Sequence, residues 1–524
     1  MVHLALIQAS RFKLKQRSIV KESEKFDVVI AGAGLSGLSL ARHLLLTTKL
    51  SVCLLEKKEN VPGSKQKVGE SLVQVGGYYF SKCLDLEQHL LRDHFMKYNL
   101  RFYFKNSSEN AEKFEGFSQA YIRNFSNIPC YQMDRLAVER ELLRLNNEFK
   151  RFTLKTNVRH LHPQLATHNG CHSIGFSQLG QPESLEGKWF VDSTGRGRLL
   201  QRHLSLKQPS PIDHGAAFMW VDGLVDIEKL TSANLREQRM NPNKRETGHL
   251  PHWLATNHFM DEGLWLWTIP LRDKTSIGLV YDRKIVDLRD VNSSEKLTNW
   301  ISKKFPLFAE TLANREVVDF GAYKSFAYGA TETINADRWA ITGEASRFTD
   351  PLYSPGSDFI SLHNTMIVDA IQSDLEGRLG HRELKRKCWL YELVMQAYYK
   401  SLLPSFSTSY DALGDHECFS LKYTWELSVY FSYFVFPFIN DLHVNSEFLP
   451  NLLSKFSKLG PMNSGIQRFL SGYFQWKKSQ QKINLQQMFH DFSSLATLQR
   501  AEETFYEVGA VSYTHLTLPT ILRV

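Results

Sequence analysis

Apolar and polar positions along the chain follow two different periods. Residues 26–31 form a short apolar, β-branched run, which predicts a buried strand. Residues 32–37 break that run with three glycines. Residues 38–46 continue with helical spacing, and residues 50–55 form a second apolar strand that ends at Glu56. The spacing predicts a βαβ unit within the first sixty residues. A helix is expected over 84–94, a strand of alternating bulky residues over 95–104 and a helix over 138–147. A buried strand over 189–194 runs into Gly195-Arg196-Gly197. From about 215 to 328 the pattern changes to period-two alternation rich in Trp, Phe, Tyr and Val, which predicts a second, mainly antiparallel sheet. A short apolar strand returns at 339–343, and a helix after Gly356 runs to about 375. Beyond 384 the chain reads as helical and aromatic-rich, with no internal repeat.

The nucleotide-type elements are therefore dispersed along the chain. The expected organisation is a flexible N-terminal extension over 1–25 and a discontinuous nucleotide-binding domain over 26–205 and 331–385. A substrate-domain sheet is inserted at 206–330, and a helical substrate-covering region spans 386–510. Residues 511–524 begin Val511-Ser512-Tyr513-Thr514-His515. They resemble translated sequencing-adaptor read-through and are set aside as a non-native tail, with the native C-terminus then missing.

Composition narrows the class. The 524 residues are 43% hydrophobic, enough for a large core and more than one domain, and 23% charged, as in ordinary globular chains. The net charge is +8, but the basic residues are scattered with no run of five, which argues against nucleic acid. Cys53, Cys83, Cys130, Cys171, Cys388 and Cys418 form no CxxC pair, so no metal site is expected. Residues 1–9 lack the basic segment and apolar length of a secretory signal, so a cytoplasmic chain with reduced thiols is expected. The longest apolar stretch, 427–439, is too short to span a bilayer. It reads as a buried or substrate-lining helix.

Chemistry enters with Gly32-Ala33-Gly34-Leu35-Ser36-Gly37. Glycines at these positions allow a tight turn and a close approach to a pyrophosphate, and the helix N-terminus offers free N–H groups to the phosphates. Glu56 stands 19 positions past Gly37, where a carboxylate accepts hydrogen bonds from a ribose diol; Lys57 flanks it. The bland alternative is a glycine turn without a ligand.

Further segments follow in fixed order: Lys67-Val68-Gly69-Glu70-Ser71, Val191-Asp192-Ser193-Thr194-Gly195-Arg196, Trp265-Leu266-Trp267-Thr268-Ile269-Pro270, Gly343-Glu344-Ala345 and Asp350-Pro351-Leu352-Tyr353-Ser354-Pro355-Gly356. With the glycine turn, they resemble the flavin-dependent halogenases over nearly the whole chain from about residue 26. The resemblance implies an α/β fold: an FAD-binding Rossmann-like domain of the flavoprotein monooxygenase type, an inserted mixed β-sheet substrate domain and a helical C-terminal part. It implies FAD contacts from Gly32, Gly34, Ser36, Gly37, Glu56, Lys57, Gly69, Glu70, Ser71, Asp192, Gly343, Glu344, Pro351 and Gly356. Arg135, in Gln132-Met133-Asp134-Arg135, resembles a further flavin-side position or is a surface arginine on a helix start. No second glycine fingerprint serves NADPH, so a separate flavin reductase is implied as the source of reduced flavin.

In the family, reduced FAD and oxygen oxidise halide to hypohalous acid, and a lysine beside the substrate activates it for attack on an electron-rich ring. That lysine lies about thirty residues past the Gly-Glu-Ser segment, which makes Lys97 the candidate; the alternative is a solvated strand lysine. Trp265, Trp267, Pro270, Tyr353, Ser354 and Pro355 are implied on the substrate and tunnel side, although two tryptophans on one strand face are also ordinary core. Two departures stand out. Tryptophan-type halogenases carry Glu-Ser-Thr-Gly where this chain has Tyr353-Ser354-Pro355-Gly356, and Pro355 removes an N–H donor to the halide. Asp358 adds negative charge nearby. The implied function is an FAD-dependent oxidoreductase of secondary metabolism. It uses reduced FAD and O2 to oxidise or halogenate an aromatic or polyene-like small molecule, free or carrier-tethered. A non-halogenating monooxygenase, oxidase or reductase on the same scaffold is the alternative, and a flavin-binding partner protein without turnover is a third reading.

Overall fold

The computed structural model describes residues 23–106, 114–122, 126, 128–167, 170–230 and 251–484. Most of the expected extension and all of the expected tail lie outside the described residues, as do residues 485–510.

The first strand, Glu24–Ala31, is central in an eight-stranded sheet and pairs in parallel with Gln181–Asp192 on one side and Val52–Leu55 on the other. Phe152–Lys155 forms one edge in parallel; on the other side Trp339–Ile341 pairs in parallel with Gln181–Asp192 and Ile334–Asn335 follows it antiparallel. Both faces of the first strand are covered. Val28 and Ile30 pack with Leu38, Ala41 and Leu44 of the helix Leu35–Thr47, while Val29 and Ala31 pack with Phe190 and Ile341. That double burial explains the continuous apolar run in the sequence.

The second sheet has seven strands in the order Val317–Tyr323, His214–Asp222, Lys274–Asp282, Leu264–Pro270, Thr256–Asp261, Leu100–Lys105 and Phe117–Ala120. It is antiparallel except where Thr256–Asp261 meets Leu100–Lys105. The strand expected over 95–104 is thus broken. Phe95–Met96 joins Ser71–Leu72 and Tyr131–Gln132 in a small three-stranded sheet, whereas Leu100–Lys105 enters the seven-stranded one. The break is at Asn99, whose φ of 87° is left-handed and whose side-chain carbonyl caps the Leu100 N–H at 2.8 Å. Residues 100–105 and 117–120, expected within the nucleotide-binding block, therefore build the sheet of the inserted segment.

Among the described residues four long helices follow: Pro355–Leu375, His381–Ser407, His416–Tyr430 and Leu449–Ser479. The apolar stretch 427–439 spans the end of the third and a π-helical turn, Phe431–Val435. Among the described residues no helix is long and apolar enough to cross a membrane.

Candidate flavin and substrate site

The glycine turn closes between the first two parallel strands. Gly32 has φ 106° and accommodates the Ser193 carbonyl, which a Cβ would meet at 2.6 Å. Gly37 lets the helix sit on the turn, since a Cβ there would meet the Gly32 carbonyl at 2.0 Å. Gly34 is different: a Cβ on it meets nothing within 4 Å. The helix Leu35–Thr47 begins there with no side-chain cap, so its first N–H groups lack a side-chain acceptor. Glu56 Oε2 accepts from the Ala33 N–H at 2.8 Å, which holds the carboxylate at the rim of the turn; Lys57 is exposed beside it. Ser36 reaches across to Thr342, Oγ to Oγ1 at 3.1 Å, and Gly343 with φ 61° lies against it. Glu344 is exposed at that crossing.

Asp192 does not face this opening. It is fully buried, and its oxygens accept from the Thr194 N–H and hydroxyl and from the Leu200 N–H at 2.7–2.9 Å. It shapes the loop after its strand.

The 67–71 segment is braced from below. Arg135 donates to the Val68 carbonyl at 2.7 Å and to Glu139 at 2.9 Å, and Lys67 pairs with the same carboxylate. Gly69, with φ 96°, leaves room for the Arg135 guanidinium, which a Cβ would meet at 2.7 Å. Arg135 is therefore the support of this segment and not a surface arginine. Glu70 is buried. One carboxylate oxygen accepts from the Trp220 indole N–H and the other has no partner. Burial pushes its carboxyl up to about 7.

Lys97 lies at the strand break and is only 7% exposed. Its Nζ donates to Ser71 Oγ at 2.9 Å, and Ser71 Oγ lies 3.1 Å from Thr256 Oγ1. Burial pulls the ammonium down to about 8, against the attraction of Cys130 and Asp358. The solvated-lysine reading does not survive this placement.

Beside Asp358 an apolar cavity opens between the helices Pro355–Leu375 and His416–Tyr430. Tyr353, Pro355, Leu100, Phe359, Leu402 and Tyr430 are among its walls. Lys97, Trp265, Trp267 and Pro270 are not. The two tryptophans do share a strand face, with ring centroids 5.7 Å apart, but both are buried with satisfied N–H groups. Trp267 donates to Ser276 Oγ at 3.1 Å and Trp265 to Tyr410 Oη at 2.7 Å. Pro270 pairs with Thr275 inside the sheet. The tryptophan string is core, and it acts on the site through Tyr410. That hydroxyl donates to Asp350 at 3.0 Å, and Asp350 also bonds His214 at 2.7 Å and the Leu352 N–H at 2.9 Å.

The Asp350 anchor supports an unusual turn. Tyr353 and Ser354 have φ of 68° and 61°, and the Ser354 N–H donates to the Pro351 carbonyl at 2.9 Å. Pro355 then starts the long helix, where its missing N–H costs the helix nothing. Gly356 follows in the first turn. Asp358 is buried: Oδ1 accepts from the Gly76 N–H at 2.7 Å and Oδ2 from the Tyr430 hydroxyl at 2.8 Å. Burial pushes its carboxyl up to about 7. The free anionic charge expected at this position is instead a desolvated, doubly bonded carboxyl.

No family model matches the chain. It is 25% identical over 447 residues to the flavin-dependent halogenase chlA of Dictyostelium discoideum, an alignment of 80% of this chain with 72% of that one. It is 25% identical over 174 residues to the 1H-pyrrole-2-carbonyl-(peptidyl-carrier protein) chlorinase of Pseudomonas fluorescens, covering 33% of this chain and 35% of that one. The crystal structure of halogenase PltM in complex with phloroglucinol and FAD shares the fold, with a TM-score of 0.66 over 94% of this chain and 98% of that one at 16% identity. The chain resembles flavin-dependent halogenases in sequence and shares the fold of a solved one. The residues present would fit FAD: Gly34 leaves open space at an uncapped helix N-terminus, with Glu56 at the rim.

The roles of Asp350, His214, Tyr410 and Glu426 escape a reading of the sequence alone. The first three are a buried network drawn from one strand and two loops far apart in the chain, so no spacing marks it. Glu426 carries a weak one. Tyr423, Glu426, Leu427 and Tyr430 repeat at i, i+3, i+4 and i+7, and all four line the cavity.

Proposed function

We propose that the chain uses reduced FAD and O2 to oxidise or halogenate an aromatic or polyene-like small molecule in secondary metabolism. Bound FAD supplies the activation of dioxygen. Gly32, Gly34, Ser36 and Gly37 hold the pyrophosphate, Glu56 the ribose diol and Glu344 the ribityl side, with the 67–71 segment lying along the flavin on its Arg135 support. The observation that carries the reading is Lys97, a buried ammonium tied to Ser71 of the flavin-side segment and electrostatically coupled to Asp358 of the cavity wall. With its proton, Lys97 directs an electrophilic oxidant toward the cavity. Residues 26–205, apart from the strands 100–105 and 117–120 that join the substrate sheet, and 331–385 are assigned to FAD binding, 206–330 to the substrate sheet and 386–510 to the cover. A separate flavin reductase supplies reduced flavin, because one dinucleotide fingerprint is present; the substrate is free or carrier-tethered.

A second reading, oxidation without halogenation, is favoured by Pro355, which has no N–H to offer a halide. One experiment separates the two: mass spectrometry of products formed with enzymatically reduced FAD, oxygen and either chloride or bromide. Halogen in the product supports halogenation, an oxygenated product without halogen supports oxidation alone, and no flavin turnover at all overturns both.

A further inference from the structure

A second cleft opens where the turn Gly195–Gly197, the strand Lys207–Gln208 and residues 325–328 meet. Arg196, Arg198, Lys207, Ser210, Ser325 and Tyr328 are among its walls, and no acid is. Its walls are held by the backbone: Lys207 pairs with Ala330, and Tyr328 bridges to Phe348. The Tyr328 hydroxyl donates to the Glu344 carbonyl at 2.6 Å, which ties the cleft to the Gly343–Ala345 turn. The Glu344 carboxylate is in electrostatic reach of Tyr328 but does not line the cleft.

The cations of this cleft are rich in free donors. Each arginine places its guanidinium over a ring, Arg196 at 4.2 Å from the Tyr323 centroid and Arg198 at 4.5 Å from that of Tyr328. A guanidinium carries five N–H donors in one plane. Arg196 gives one to the Ser325 carbonyl at 3.1 Å. Among the described residues the side chains of Arg198 and Lys207 have no hydrogen bond or ion pair. Arg198 is also a backbone outlier. Its φ of 46° and ψ of 54° are left-handed, where a β-carbon is disfavoured. Glycine stands at 195 and 197 and would suit 198 better. An arginine at such a position points to a use for its side chain.

Unmet donors on two planar forks and a point charge match an acceptor with several oxygens and more than one negative charge. The cleft measures about 250 Å³. That is short of the roughly 300–1,000 Å³ of sites that enclose a whole small molecule, so it fits a charged head group whose remainder lies outside. We propose that Arg196, Arg198 and Lys207 form a second anion site, which takes the phosphate or diphosphate of a ligand other than the resident FAD. The FAD pyrophosphate is assigned to Gly32–Gly37. No residue of that turn lines this cleft, so the second site goes beyond the flavin-enzyme reading.

The test is isothermal titration of inorganic pyrophosphate into the FAD-loaded chain and into Gly34→Val, whose side chain closes the first turn to phosphates. Both proteins should bind one pyrophosphate, and more weakly as added salt screens the charges. Arg198→Met/Lys207→Met should weaken binding by roughly 10-fold or more, the scale of a lost charge-assisted bond, with flavin absorbance retained. If that variant does not fold, Lys207→Met decides, since Lys207 is exposed; it should weaken binding several-fold. Lys455→Met/Lys458→Met removes two charges from the helix Leu449–Ser479 and should change nothing. ADP and flavin mononucleotide, titrated in the same way, distinguish a diphosphate from a phosphate monoester as the head group by which binds more tightly. Equal weakening in the two double variants would mean attraction to the net charge of +8 alone and overturns the site. So does the absence of pyrophosphate binding, or a folded Arg198→Met/Lys207→Met chain that loses its flavin. A wild-type chain that loads no FAD overturns the function reading, and Gly34→Val then decides this one.

Discussion

Lys97 Nζ donates to Ser71 Oγ across 2.9 Å, and this bond joins the break in a substrate-sheet strand to the segment assigned to the flavin. Both residues are buried, so the lysine is held by more than its own backbone. Lys97→Met keeps the length and removes the charge. The expected result is intact flavin loading and oxygen consumption with product formation down ~100-fold, the scale of losing a positioned proton donor. Burial pulls the ammonium down to about 8, so in the wild-type chain product yield should fall as pH rises through about 8 while oxygen consumption does not. A flat yield across that range, or full yield from Lys97→Met, would return the residue to a structural role.

The glycines of the first turn separate binding from folding. A Cβ on Gly34 meets nothing, whereas a Cβ on Gly37 meets the Gly32 carbonyl at 2.0 Å. Gly34→Val should therefore melt near the wild-type temperature in the absence of FAD and yet carry no flavin absorbance, because the side chain fills the space a pyrophosphate needs. Gly37→Val should be recovered mostly unfolded, since the obstruction is backbone. Flavin absorbance at the wild-type level in purified Gly34→Val would move the pyrophosphate elsewhere.

How much of the fold and site is legible in the sequence follows from how local each feature is. Gly32, Gly34, Gly37 and Glu56 act within one βαβ unit, so their spacing alone carries the reading. Lys97 is legible by its distance from Ser71 along the chain, but its burial is not, because the left-handed Asn99 that breaks the strand has no apolar signature. Asp192 is less legible: an acid at the end of a parallel strand serves a ligand or its own loop equally well, and its bonds to Thr194 and Leu200 depend on how that loop folds. Alternation puts the tryptophan string on the right strand face, but the consequence of that face, core packing and a bond to Tyr410, depends on the C-terminal part of the chain. Glu426 reaches Tyr353 only because helix His416–Tyr430 packs over the cavity.

Glu70 predicts a pH dependence of stability. Burial raises its carboxyl from 4.5 to about 7, so the folded chain holds a proton that the unfolded chain releases near pH 4.5. The protonated form's stabilisation is complete below about 4.5 and is lost as pH rises through about 7. Glu70→Gln keeps an acceptor for the Trp220 N–H and removes the ionisable group. It should gain about 3 kcal/mol over the wild-type chain at pH 8, because each pH unit between the folded and unfolded values is worth about 1.36 kcal/mol, and nothing near pH 4.5. Denaturant unfolding of both proteins at the two pH values measures this, and a difference independent of pH would remove Glu70 as the titrating group.

Halide capture is the sharpest test of the divergent turn. Pro355 offers no N–H at the start of its helix, so chloride should bind the wild-type chain weakly. Asp358, on the same cavity wall, modulates this with pH. Its oxygens are held by the Gly76 N–H and the Tyr430 hydroxyl, with the Lys97 ammonium its cationic neighbour, and burial pushes its carboxyl up to about 7. Below about 7 it is neutral and does not repel an anion; above it the charge is present, so chloride should bind more tightly at pH 6 than at pH 8. Asp358→Asn should reduce that dependence to the part carried by Lys97, whose ammonium begins to titrate near 8, while keeping the shape of both contacts. Pro355→Thr restores one donor and should strengthen binding by roughly 10- to 100-fold, the range of a charge-assisted hydrogen bond. Chloride and bromide titrations of the oxidised flavin spectrum, run at both pH values on the wild-type chain and the two variants, measure all three effects. Tight, pH-independent chloride binding to the unmodified chain would show that the turn captures halide without the Pro355 donor, and halogenation would then need no compensation for that proline.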